Sequence, residues 1–97
     1  MLRHIVMLKF KNQDSLPVVS EKTKQMLVSL ESTIETLKNM EVGINISTKP
    51  AAFDLVLTAD FDNEEGLNYY RTHPEHVKVL NFLKETVEKS AAVDYWT

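Results

Sequence analysis

The chain holds three histidines in two places: His4 near its start, and His73 and His76 on either side of Pro74 in the stretch His-Pro-Glu-His. Tyr70 stands three residues before that stretch. An imidazole in the first turn of a helix meets the positive end of the helix dipole, which disfavours imidazolium and keeps the ring neutral. A neutral His76 can accept a proton, and a phenol beside it can donate a hydrogen bond to an oxygen. Together they suit proton abstraction next to a carbonyl, with His76 as general base and Tyr70 holding the enolate oxygen. Such chemistry calls for no metal and no organic cofactor. A purely structural alternative has the two side chains hydrogen-bonding each other or nearby backbone at the edge of the core.

Other chemistry has less support. His73 precedes a proline at a helix start, where backbone need explains it. A metal site would take His73 and His76 with His4 or Glu75. Pro74 turns the first two apart, and no carboxylate stands ready to orient a ligating ring, so no metal is expected. Gly43 and Gly66 are isolated, which leaves no glycine-rich phosphate loop. The absence of cysteine removes disulfides, thiolate zinc sites and a thiol nucleophile.

The elements that must position these residues are readable from periodicity. Leu2 to Lys11 alternates as a strand, with Leu2, His4, Val6, Leu8 and Phe10 on one face and Arg3, Ile5, Met7, Lys9 and Lys11 on the other. Lys9 and Lys11 read as solvated edge charges. After a turn at Asn12–Ser15, Pro17 suits the first turn of a helix whose stripe is Val19, Thr23, Met26, Leu27, Leu30, Ile34 and Leu37. The polar run Glu31, Ser32 and Thr33 is expected to break it. Met40, Val42, Ile44 and Ile46 form the buried face of a second strand, and Phe53 to Phe61 a third that pairs back as a hairpin. Asp62 or Asn63 caps a short helix with Glu64 and Glu65 in its first turn. His73 caps the next, which opens at Pro74 and carries His76, Leu80, Leu83 and Val87 inward. Ala91 to Trp96 alternates as a last short strand.

The order β-α-β-β-α-α-β is that of a ferredoxin-like sandwich of the α+β class, a four-stranded antiparallel sheet with helices on one face. At 97 residues it is one domain, 1–97, with a small core. The open face would hold Ile5, Met7 and Val56 beside Arg3, Lys9, Asp54, Thr58 and Asp60. Stacked on a second copy, that patch becomes the middle of a two-sheet barrel, so a homodimer through the open sheet face is expected. A net charge of −3 is of the wrong sign for a phosphate-tracking surface, so no nucleic acid is expected. The longest apolar stretch, Ile5 to Leu8, is too short for a signal peptide or a membrane span, which predicts a cytoplasmic protein with no membrane partner.

The opening HIVMLKFK, the stretch FDLVLTADFDNEEGLNYY, the helix start HPEHVKV and the closing VDYW resemble the stress-responsive A/B barrel, or Dabb, family. The resemblance spans nearly the whole chain, and His-Pro-x-His downstream of the strand ending at Phe61 is its most specific part. It implies a dimeric α/β barrel in which two four-stranded sheets face each other with helices outside. One plant branch of the family resembles polyketide cyclases, where a cavity Tyr and His act as acid and base in an aldol-type ring closure. Those positions fall on Tyr70 and His76, and a cavity histidine falls on His4. A further cavity histidine of that branch falls on Leu55 here when the strands are aligned through Phe61, a departure from the branch's cavity.

The expected site is therefore a mainly apolar pocket between sheet and helices, with His76 and Tyr70 as catalytic candidates and His4, Val6, Leu8, Leu55 and Leu57 lining it. It would bind a small hydrophobic or carbonyl-bearing molecule, with no metal and no cofactor. Alternatives are a cofactor-free cyclase or isomerase using Tyr70 and His76, a stress-associated binding or structural protein without turnover, and a cofactor-independent monooxygenase-like barrel.

Overall fold

A computed structural model describes residues 1–97. The chain runs β1 (Leu2–Phe10), a single 3-10 turn (Gln13–Ser15), α1 (Leu16–Thr33), β2 (Asn39–Ile44), β3 (Leu55–Phe61), α2 (Glu64–Thr72), α3 (Pro74–Thr86) and β4 (Val87–Trp96). The strands form one antiparallel sheet in the order β2-β3-β1-β4. Leu2, Leu8 and Phe10 of β1 and Leu55, Leu57, Ala59 and Phe61 of β3 are buried against the helices, together with Leu27 and Leu30 of α1, Leu67 and Tyr70 of α2 and Val79 of α3. No helix is long and apolar enough to cross a membrane.

Several boundaries differ from the sequence expectation, each for a local reason. The Glu31–Thr33 run does not break α1. Ser32 and Thr33 fold their hydroxyls back onto the Ser29 carbonyl at 3.1 and 3.2 Å, and the stop comes at Ile34, whose backbone turns extended and buries its side chain. The Glu31 carboxylate meanwhile accepts from the Met40 amide and ties the end of α1 to β2. Strand β2 ends at Ile44, and Ile46 is 98% exposed. Between them Asn45 donates its side-chain amide to the Phe53 carbonyl and accepts from the Ser47 amide, which turns the chain out of the sheet.

Asp54 does not sit on the open face. It is buried, accepting from the Phe10 amide at 2.8 Å and the Gln13 side chain at 3.2 Å, and β3 starts at Leu55, two residues later than expected. Lys9 is no edge charge either, because β1 lies between β3 and β4; its ammonium donates to the Ala52 carbonyl. In α3 the deeply buried position is Val79, while Leu80 is 41% exposed and Val87 already opens β4, which is four residues longer than its alternation suggested.

The α2–α3 junction follows its capping signals. Asn63 accepts from the Gly66 amide at 2.9 Å, with Glu64 and Glu65 in the first turn. Helix α2 meets the α1–β2 turn at Gly66, where the Thr36 hydroxyl donates to the Gly66 carbonyl and a Cβ would stand in ordinary contact with Thr36 at 3.4 Å. His73 is extended and its Nδ1 accepts from the Glu75 amide, so α2 stops and α3 starts at Pro74 in a new direction. On the uncovered side of the sheet lie Ile5, Met7, Val56, Ala91, Val93 and Tyr95, with Arg3 making a two-pronged pair with Asp60 at 2.9 and 3.2 Å. That pairing holds the Asp60 carboxyl below its ordinary pKa.

Candidate functional site

Between sheet and helices lies a cavity of about 340 Å³ with a mainly apolar wall. Strand β1 contributes His4, Val6 and Leu8, β3 contributes Leu57, and α1 contributes Leu27. Helix α2 supplies Tyr70 and Arg71, and α3 supplies His76, Leu80 and Leu83. A groove of similar size, about 390 Å³, runs between the Glu35–Lys38 turn and the start of α2, but its wall is polar and charged, and it pairs the phenol of Tyr69 with no imidazole. Six of the seven residues expected from the sequence border the apolar cavity. Leu55 does not: it is sealed in the core at 1% exposure, paired across the strands with Leu8 and set toward Ile44 and Phe53. His73 stays outside, held by its capping bond and edge-on to Tyr69.

His76 is buried, and its Nδ1 lies 3.1 Å from the Arg71 carbonyl oxygen. A carbonyl only accepts, so Nδ1 carries the hydrogen and Nε2 bears the lone pair. Burial lowers the His76 pKa, and a charge on His4 would lower it further, so the ring is a neutral base. Burial acts on the Tyr70 phenol in the opposite direction, raising its pKa above the ordinary value and keeping it a hydrogen-bond donor. The two rings stack, with centroids 4.1 Å apart and planes at 36°, and Tyr70 leans on Phe61 from its other side. Their contact is ring on ring, not a hydrogen bond between polar ends. The arrangement can accept a proton at one ring and donate a hydrogen bond from the other.

A second imidazole, that of His4, also borders the cavity. His4 Nδ1 lies 2.5 Å from Asp94 Oδ1, and the other oxygen of that carboxylate pairs with Arg71 at 3.2 Å. His4 and Asp94 stand directly opposite each other in the β1–β4 register. Sequence reasoning missed Asp94, Arg71, Leu27, Leu80 and Leu83 as site residues. The leucines were visible as members of inward-facing stripes, and Asp94 as one position of an alternating strand whose inward face was not assigned, but nothing in the residue types announced Arg71, whose main-chain oxygen matters as much as its side chain. No group of three or more His, Cys, Asp or Glu side chains is placed to hold a metal ion.

Known proteins share this architecture. An uncharacterized protein of Streptomyces coelicolor is 32% identical over 82 residues, 78% of this chain and 79% of that protein. A dimeric protein of unknown function with a ferredoxin-like fold from Bacteroides fragilis superposes with a TM-score of 0.89 at 32% identity, covering 99% of this chain and 95% of that one. An antibiotic biosynthesis monooxygenase shares the fold alone, at 10% identity and a TM-score of 0.80 over 100% of this chain and 98% of that one. The family model described as the stress responsive A/B barrel domain matches residues 2–97, and the chain belongs to that family, Dabb.

Proposed function

We propose that the protein binds a small hydrophobic or carbonyl-bearing molecule in the cavity between sheet and helices, and that it works as a homodimer through the open sheet face. The observation that carries the first part is an apolar hollow of about 340 Å³ into which an imidazole and a phenol are stacked as part of the wall. Apolar concavities with a few converging polar groups are the usual form of small-molecule sites. The dimer reading draws on the dimeric Bacteroides relative and on Ile5, Met7, Val56 and Val93 sharing one uncovered face.

The neutral state of His76 favours a second reading on the same ligand, a cofactor-free cyclisation or isomerisation. Nε2 of His76 takes a proton from the carbon next to a carbonyl. The electrons of that C–H bond form a carbon–carbon double bond as the carbonyl electrons move onto oxygen, where the Tyr70 hydroxyl stabilises them. A monooxygenase reading has only the shared fold behind it, and would require oxygen uptake with an electron-rich phenol.

A panel of carbonyl compounds, screened by thermal shift and then by turnover, tests both readings. A binder raises the midpoint in proportion to its concentration over Kd. His76→Gln and Tyr70→Phe should each lower turnover by about 10²-fold or more while leaving the fold intact. A panel that shifts nothing defeats the binding reading, and variants as fast as wild type defeat the catalytic one.

A further inference from the structure

Both cavity imidazoles are fixed through the same ring nitrogen, and one residue holds both fixings together. His76 donates from Nδ1 to the main-chain oxygen of Arg71. The guanidinium of Arg71 braces Asp94, and the ionised Asp94 carboxylate, which can only accept, takes the Nδ1 hydrogen of His4. With Nδ1 engaged in each ring, Nε2 is the free nitrogen on two residues that wall the same hollow. His4 is well covered, with its side chain 13% exposed, whereas Asp94 and Arg71 keep 35% and 47% of theirs in solvent. The brace thus sits at the rim and the ring it aims lies inside.

We propose that Asp94 is a positioning residue that sets His4 as a second hydrogen-bond acceptor in the cavity, so that the ligand carries, beside its apolar body, a hydroxyl of the phenol or enol class that donates to His4 Nε2. This rests on the cavity being a ligand site and adds to it a defined polar requirement. In an otherwise apolar wall, His4 and His76 accept and Tyr70 donates. A plain hydrocarbon would leave all three unpaired, so the site discriminates against it. Arg71 makes the two acceptors a unit: its side chain orients one ring through Asp94, and its backbone orients the other directly.

The ring nitrogens report on this without any substrate. Long-range nitrogen–proton NMR on the full chain should show His4 and His76 both as the Nδ1–H tautomer. Asp94→Ala should convert His4 to a tautomer mixture and leave His76 unchanged, with the backbone spectrum confirming the fold. Arg71→Ala removes the brace but keeps the backbone carbonyl, and should loosen His4 while sparing His76. Binding is then read with 4-propylphenol against propylbenzene. The phenol should bind wild type the tighter and lose about tenfold in Asp94→Ala, the loss of roughly one hydrogen bond, while propylbenzene is unaffected. Recovery in Asp94→Glu supports positioning. A His4 tautomer indifferent to both variants, or equal losses for phenol and hydrocarbon, overturns the proposal. If neither compound binds wild type, the ligand-site reading fails, and the tautomer result still decides whether Asp94 positions His4.

Discussion

His76 is in the first turn of α3 and almost wholly out of water, a setting in which charge is disfavoured by desolvation and by any charge on His4. Its folded pKa therefore lies below the ordinary value of about 6.5, and the unfolded chain takes up this proton first. The resulting stability is complete above about pH 6.5 and is lost as pH falls through the lower, folded value. Melting curves taken between about pH 7 and pH 5 should show a steeper fall for wild type than for His76→Gln, whose amide can still donate to the Arg71 carbonyl; parallel curves would contradict the assignment. Tyr70, His76 and His4 were legible in the sequence because residue type and helical or strand phase together place a titratable ring on an inward face. Asp94 was placed in a strand but on no stated face, because its position opposite His4 depends on the β1–β4 register, which alternation alone does not set. Leu55 shows the converse: an inward-facing strand position is necessary for reaching the cavity, but helix packing decides which inward positions are covered.

The α2–α3 junction does most to assemble the site, since Tyr70, Arg71 and His76 all belong to it. Its capping is conventional, with Asn63 at the start of α2 and His73 followed by Pro74 at the start of α3; the His73 cap was readable from local chemistry, which for α2 left Asp62 or Asn63 open. Asn63→Ala removes the acceptor for the Gly66 amide and should destabilise the protein by about 1 kcal/mol, whereas Asn63→Asp should retain most of the stability. Denaturant midpoints of the two variants make the comparison. Elsewhere the element boundaries moved where a polar side chain captured backbone: Asp54 on the Phe10 amide, Asn45 on Phe53 and Ser47, and the hydroxyls near the end of α1. Such captures depend on chain segments brought together by the fold, so period counting over a single segment does not find them.

The whole molecule presents one sheet face without helices, and Met7 and Val93 on it are 38% and 59% exposed. A second copy seated there, as proposed, would take these side chains out of water. Met7→Lys combined with Val93→Lys should shift the molecular mass by light scattering from dimer toward monomer, while Val18→Lys on the outer side of α1 should leave it unchanged. Persistence of the dimer in the double variant would place the interface elsewhere. The β-α-β-β-α-α-β order and the uncovered face were both evident in the pattern of the chain, because β2 and β3 alternate clearly while β1 carries apolar residues, Ile5 and Met7, on its second face as well.

Strand β1 is a partition one residue thick, with His4, Val6 and Leu8 projecting to one side and Ile5 and Met7 to the other. A guest that stilled this strand from the helix side would reduce the freedom it has left to surrender when a second copy settled on its reverse. If the proposed guest and the proposed dimer both form, reciprocal linkage would make loading protect the assembly against dilution, and dilution loosen the hold on the guest.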